Sequence, residues 1–172
     1  LDVVGGVSCA GGGPFGGSCS SGGDDDHYHG THVAGTVGAI DDGNGVVGVA
    51  PGARLWAVKV LNQRGSGYTS WIVAGIDWVA ANASTIEVAN MSLGGSGFSQ
   101  AEYDAIQGAV DAGVAFAVAA GNSDDDASGY SPAGFDNVLT VSALADFDGV
   151  EGGLGSPTCR SDQDDTLAGF SN

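Results

Sequence analysis

The sequence predicts an α/β fold, a largely parallel sheet flanked by helices on both faces. Three observations carry that expectation. Strand-like apolar runs recur between helical patterns, and those patterns space their apolar residues three and four apart. Hydrophobic residues make up 42% of the 172, enough to bury a core although 32 residues are glycine, far above an average share of about 7%. Strands that alternate with helices pair in parallel, because each crossover helix carries the chain back along the sheet.

Taken in order, the first element is the stretch His29-Gly30-Thr31-His32-Val33-Ala34-Gly35, read as the start of a short helix. Val33, Ala34, Val37 and Ile40 share its apolar, core-facing side, and Gly30 leaves room for a neighbouring chain. Leu55 to Leu61 reads as a strand. Thr69 to Asn82 follows as a helix with Ile72, Ile76 and Val79 on one face. Ile86 to Met91 is a second strand, and Ser99 to Ala112 a second long helix with Tyr103, Ile106 and Val110 in line. Val114 to Ala119 and Val138 to Ala143 complete the strands, which look buried on both faces. Glycine clusters at Gly11 to Gly23, Gly94 to Gly97 and Gly149 to Gly155 read as loops. The length fits one domain or a piece of one. There is no internal repeat, and no apolar run is long enough to span a bilayer.

Net charge is −17, from 21 acidic against 4 basic residues. That balance excludes nucleic acid and anionic membranes as partners, because phosphate contacts need lysine and arginine. The runs Asp24-Asp25-Asp26 and Asp124-Asp125-Asp126 read as solvated loop charge, with cation binding or adaptation to salt as the alternatives. Cys9 and Cys19 bracket a nine-residue glycine-rich loop and can close it as a disulfide, which suits an oxidising compartment. Cys159 is then left over, and three unrelated small residues is the other reading.

Chemistry concentrates at the histidines. His29 opens its helix at the positive end, where a neutral imidazole can take up a proton. His32 lies one turn on, where it can hydrogen-bond backbone, and His27 is a loop residue. His27-Tyr28-His29-Gly30-Thr31-His32 is one residue from an H-x-H-x-D-H zinc pattern. Thr31 stands where aspartate is required, however, and no histidine follows residue 32, so a metal hydrolase is disfavoured. Ser92 and Asn122 fall at the carboxyl ends of two strands, where open α/β sheets build their sites. Taken alone, Ala120-Gly121-Asn122 reads as a turn after a buried strand.

Four segments together, His29 to Gly35, Gly45-Val46-Val47-Gly48-Val49-Ala50-Pro51, Asn90-Met91-Ser92-Leu93-Gly94-Gly95 and Ala119-Ala120-Gly121-Asn122, resemble the subtilisin-like serine proteases, or subtilases, in the same order. The resemblance covers nearly the whole chain. It implies a subtilisin-like α/β fold, with residues 1–172 forming part of a single catalytic domain truncated at both ends. It makes His29 the general base and His32 structural. It makes Asn122 the donor that steadies the oxyanion of the tetrahedral intermediate; the loss of about 10²–10³ in rate when that donor is removed is subtilisin's own figure. Ser92, Leu93 and Gly94 resemble the strand that pairs with substrate backbone, and Gly65, Ser66 and Gly67 the opposing edge, so a peptide would be held extended between them. Glycine on both edges lets another backbone come close. By the same resemblance Ala119, Ala120 and Gly121 line the pocket for the residue before the cut bond, which favours large apolar side chains, while Leu93 and Ile72 border a second apolar subsite; a buried core position is the other reading of Ile72. Ser131-Pro132-Ala133 resembles a segment whose proline bond is cis.

A Ser-His-Asp mechanism needs a nucleophile and an orienting carboxylate as well. The family orders its triad Asp, His, Ser. The resemblance therefore places the aspartate shortly before Leu1, with Asp2 not a triad member, and the serine in a G-T-S motif beyond Phe170-Ser171-Asn172. Ser92, Ser131 and Ser171 do not fit that motif, so the 172 residues alone are expected to cleave nothing. The loop Ile40-Asp41-Asp42-Gly43-Asn44-Gly45-Val46 resembles a family calcium loop. Its ligands would be the carbonyls of Ile40, Asn44 and Val46 and the carboxylate of Asp42, all oxygen donors suited to a hard cation, with one more ligand taken from before Leu1; a polar turn is the other reading. The expected function is secreted serine endopeptidase acting on polypeptides, made with an N-terminal pro-segment and working as a monomer with structural calcium. The competing class is a non-catalytic relative that keeps the fold to bind peptide or calcium.

Overall fold

The computed structural model describes residues 1–172, which divide into two compact units, Leu1–Ala83 and Ser84–Asn172. The N-terminal unit holds β1 (Asp2–Ser8), β2 (Ser20–Ser21), α1 (His29–Gly38), β3 (Arg54–Lys59) and α2 (Thr69–Ala81). The C-terminal unit holds β4 (Val88–Met91), β5 (Gly95–Ser96), α3 (Gln100–Asp111), β6 (Ala115–Ala119), β7 (Tyr130–Ser131), β8 (Leu139–Val141), β9 (Leu144–Ala145) and β10 (Thr166–Leu167).

In the N-terminal unit β1 runs parallel to β3, with Val7 opposite Val58, and β2 pairs antiparallel on its far edge. Sequence reasoning missed β1, because Gly5-Gly6 reads as turn chemistry. Gly5 is in register with Trp56, whose indole fills the place a Cβ on Gly5 would take. Alternation along the strand puts Val58 and Val60 on one face and Leu55 on the other. The α2 helix covers the first face, where Val7, Cys9 and Ala74 are buried against Val58, Val60 and Trp78. The α1 helix covers the second, with Gly38 against Leu55. It ends at Gly38, so Ile40 falls outside it and is exposed, while Val33, Ala34 and Val37 are only half-buried rather than core. Nor does Gly30 admit a neighbouring chain: what faces it is the Asp25 carboxyl, at an ordinary 3.7 Å.

Cys9 and Cys19 are disulfide-bonded, and Cys159 is free and exposed. The loop that the disulfide closes is docked on the start of α2. There the Ser70 hydroxyl donates to the Pro14 carbonyl and the Trp71 indole N–H to the Gly13 carbonyl, both at 2.9 Å.

In the C-terminal unit β4, β6 and β8 form a parallel sheet in that order, with Met91 opposite Val118 and Ala119 opposite Val141. The α3 helix packs on β6 and buries Ile106 and Ala109 completely, on the side of Met91, Phe116 and Val118. Val88, Leu139 and Val141 point the other way and are exposed. Within residues 1–172 these strands are buried on one face, the one that α3 covers. Two short antiparallel pairs, β5 with β7 and β9 with β10, flank the sheet, and the Ser131–Pro132 bond is cis.

Ser99 caps α3, its hydroxyl accepting from the Glu102 N–H at 3.4 Å. The reciprocal bond of a capping box is not made, because the Ser99 N–H donates to the Ser131 hydroxyl at 2.9 Å. Glu102 is thus left buried with Oε1 unpartnered, and burial holds its carboxyl above the usual 4.5.

Two predictions follow from this packing. A methyl at Gly75 would lie 2.5 Å from Val60 Cγ1, so Gly75→Ala is expected to cost about 1–3 kcal/mol, read as a lower urea midpoint; an unchanged midpoint would refute the seating of α2. For Glu102, the folded chain keeps a proton that the unfolded chain releases near 4.5. Stability should therefore fall as pH rises from there through the higher folded value. Thermal melts from pH 4 to 8 should show that decline, and Glu102→Gln should flatten it.

Candidate active site

His29 is the first residue of α1. The residue before it, Tyr28, has φ 87° and provides no side-chain cap. Asp25 caps the helix instead. One carboxylate oxygen accepts from the N–H of His27 at 2.9 Å and of Tyr28 at 3.1 Å; the other accepts from the Thr31 N–H at 2.8 Å and the Thr31 hydroxyl at 2.7 Å. These bonds, led by the Thr31 hydroxyl and followed by the backbone N–H of Thr31 and of His27, hold the Asp25 carboxyl well below the usual carboxylate range. Asp26 pairs with Lys59 at 2.5 Å. Asp25 and Asp26 are therefore bonded rather than idle solvated charge, a role the composition of the run conceals.

His27 stacks on Tyr28 with ring centroids 4.5 Å apart and lies 6.5 Å from the His29 ring. Its Nδ1 is buried without a partner. The edge of its ring sits 3.0 Å from where a Cβ on Gly65 would be, so the N-terminal unit gathers His27, His29 and Gly65. Gly65, Ser66 and Gly67 belong to an exposed turn rather than a strand. That turn is closed by Asn62, whose N–H donates to the Ser66 carbonyl at 2.8 Å and whose side-chain oxygen accepts from Arg64 and Ser66 N–H. The His32 ring is exposed and makes no hydrogen bond, against the expectation that it would bond backbone.

In the C-terminal unit Ser92, Leu93 and Gly94 follow β4, and Ala119, Ala120, Gly121 and Asn122 end and follow β6. Because the two strands are parallel neighbours in register, both segments emerge at the same carboxyl end of the sheet. Leu93 and Gly94 pair with no strand. Gly94 approaches the Ser131 carbonyl beside the cis bond, 3.0 Å from the site of a Cβ, and Ser92 accepts from the Asn90 side-chain amide at 3.0 Å. Ala120 is buried and its N–H donates to the Val141 carbonyl at 2.9 Å.

Asn122 is exposed, on a loop that Phe170 and Asn172 hold from both sides. The Asn172 side-chain oxygen accepts from the Ser123 N–H at 2.7 Å, its own N–H donates to the Gly121 carbonyl at 3.3 Å, and the Asp124 N–H donates to the Phe170 carbonyl at 3.0 Å. Gly121 has φ 122°, and the Asn172 amide occupies the place a Cβ would take, 2.6 Å away. Sequence reasoning missed both Asp25 and Asn172. An aspartate four residues before His29 and six before Thr31 was a signal for the first; only the fold reveals the second.

The loop Ile40, Asp42, Asn44, Val46 is exposed. The Asp42 carboxylate accepts from the Asn44 N–H at 3.0 Å, and the carbonyls of Ile40, Asn44 and Val46 accept no hydrogen bond. Elsewhere Asp146, Asp148 and Asp164 bring carboxylate oxygens within 4.8 Å of one another. Asp164 is buried there, each of its oxygens accepting one N–H, from Phe147 and from Gly155.

The small-residue segments thus lie at the carboxyl end of a parallel α/β sheet in one unit, and the other unit has a helix that begins on histidine. Residues 19–172 match the subtilase family, and the chain belongs to it. It is 52% identical to alkaline serine exoprotease A of Vibrio alginolyticus over 120 residues, 70% of this chain and 21% of that one. It is 46% identical to subtilisin DY of Bacillus licheniformis over 148 residues, 84% of this chain and 50% of that one. The solved structure of a cold adapted subtilisin-like serine proteinase superposes with a TM-score of 0.73 at 38% identity, over 97% of this chain and 51% of that one. The chain thus spans about half or less of the length of these relatives. No helix is long and apolar enough to cross a membrane.

Asn172→Ala removes the acceptor for the Ser123 N–H. A hydrogen bond of this kind is worth about 1 kcal/mol, so amide exchange at Ser123 should quicken roughly fivefold while protection at Phe116 and Val118 stays unchanged. Equal exchange at Ser123 in both proteins would show that Asn172 does not hold the loop.

Proposed function

We propose that this chain is part of a secreted serine endopeptidase in which His29 is the general base and Asn122 the oxyanion donor. The observation that carries the reading is the carboxyl end of the parallel sheet, where Ser92 to Gly94 and Ala119 to Gly121 emerge side by side, with Asn122 on a loop held by Asn172. A polypeptide substrate lies extended along Ser92, Leu93 and Gly94, its backbone pairing as an added strand, and the resemblance gives Gly65, Ser66 and Gly67 the same role. Ala119, Ala120 and Gly121 are small and leave space for a large apolar side chain before the cut bond. A serine supplied from outside residues 1–172 gives its proton to His29 as its oxygen attacks the carbonyl, and the Asn122 side-chain N–H donates to the oxygen on which negative charge develops. His29 then returns the proton to the leaving amine. The orienting aspartate also lies outside these residues, which alone cleave nothing. The two units are parts of one catalytic domain, made behind a pro-segment and working as a monomer. The disulfide Cys9–Cys19 suits the oxidising compartment that secretion implies.

The test is to extend the coding segment on both sides and assay the product. A serine-directed covalent inhibitor should label it, His29→Ala should abolish casein cleavage, and Asn122→Ala should slow it by about 10²–10³, the figure subtilisin itself gives. A protein that resists the inhibitor and cleaves nothing would instead be a non-catalytic relative.

Calcium fits the loop at residues 40–46 as a structural ion. The carbonyls of Ile40, Asn44 and Val46 are unengaged and share a short exposed loop with the Asp42 carboxylate, an all-oxygen donor set suited to a hard cation. When bound, the ion ties the loop that joins α1 to β3. At calcium a hundredfold above its Kd the gain is about 2.7 kcal/mol, so Tm should rise with calcium and return with chelator, and Asp42→Asn should remove the rise. Equal melts with and without calcium would sink the assignment.

A further inference from the structure

We propose that Asp25 is a positioning residue for His29: its carboxylate clasps the backbone on both sides of the histidine and fixes the direction in which the imidazole leaves the chain. The inference rests on the reading of His29 as the base. Tyr28, immediately before it, sits at φ 87°, a backbone conformation that costs a bulky side chain about 1–2 kcal/mol. Such a residue persists only where its surroundings over-determine it. Here Asp25 accepts from Tyr28 itself and from Thr31 two residues beyond His29, so the His29 backbone lies between two clamped residues and the direction of its Cα–Cβ bond is fixed. Neighbouring Asp26, through its ion pair with the mostly buried Lys59, ties the same segment to β3, and His27 packs on the Tyr28 ring. Two rotatable bonds separate the imidazole from a backbone so held, and such preorganisation is what a general base needs, since a misplacement of about 1 Å can cost 10² in rate.

The test uses the 172-residue chain and NMR. The Tyr28 φ is read from its H–N to Hα coupling, His29 from its ring cross-peaks and side-chain couplings, and amide protection in α2 and α3 reports on the fold. Asp25→Asn keeps the shape but removes one acceptor oxygen, and Thr31→Val keeps the shape but removes the hydroxyl donor. Each should release Tyr28 to negative φ and move or broaden the His29 ring signals while α2 and α3 keep their protection. Thr31→Ser, which retains the hydroxyl, should restore the original spectrum. Unchanged Tyr28 and His29 signals in Asp25→Asn would overturn the proposal, as would Thr31→Ser behaving like Thr31→Val. Should Asp25→Asn unfold the unit, Thr31→Val, which loses a single donor, still decides. The inhibitor experiment tests His29 as base separately, so the two readings fail independently.

Discussion

The parallel register of β4 and β6, Met91 against Val118, is the constraint on which the C-terminal unit depends. It decides that the chain leaves both strands at the same carboxyl end of the sheet, which sets Ser92 beside Ala119 and starts the Asn122 loop there. The next pairing, Ala119 against Val141, lets Ala120 donate to Val141 and so extends the order one residue past the strand. Slip of one residue would reverse every side chain between the faces and bury Val88 and Asn90 in place of Ala89 and Met91. The chemistry proposed for this end of the sheet therefore needs no residue with an unusual environment. It needs small side chains and a fixed register.

The N-terminal unit works differently, by local clasping. Its helix begins on a residue whose predecessor is in an unfavourable conformation, and a carboxylate three positions earlier in the chain supplies the hydrogen bonds that compensate. Acidic residues that raise net charge and look interchangeable in composition thus divide into separate tasks. Asp25 caps, Asp26 pairs with Lys59, Asp126 caps the short turn at Ala127–Gly129, and Asp164 is buried under two N–H donors.

Much of the architecture was legible in the sequence, because periodicity reports what a side chain faces. The α2 and α3 helices fall within a residue or two of their predicted ends, and the four expected strands are present in shortened form. Periodicity did not report β1, since a strand needing Gly5 for the sake of a tryptophan on its neighbour has no apolar pattern to show. Nor could it foresee that Leu139 and Val141 would be exposed: an apolar run looks the same whether one face is covered or two. For the site, His29 and the small-residue segments were readable as motifs. The partners that hold them were not, because Asp25 acts through backbone N–H groups that carry no residue identity, and Asn172 reaches Ser123 across 49 positions of sequence.

The Cys9–Cys19 bridge has a consequence for how the loop it closes meets a protease. Glycine-rich surface loops are preferred places of proteolytic attack, and this one presents Phe15, a large apolar side chain that is 99% exposed. A cleavable segment must first be pulled straight. The bridge fixes the two Cα atoms 4.0 Å apart across ten positions of chain, and a ring that tight cannot be drawn out into a strand. The bridge therefore limits how far the loop can extend, which is the conformation that cleavage requires.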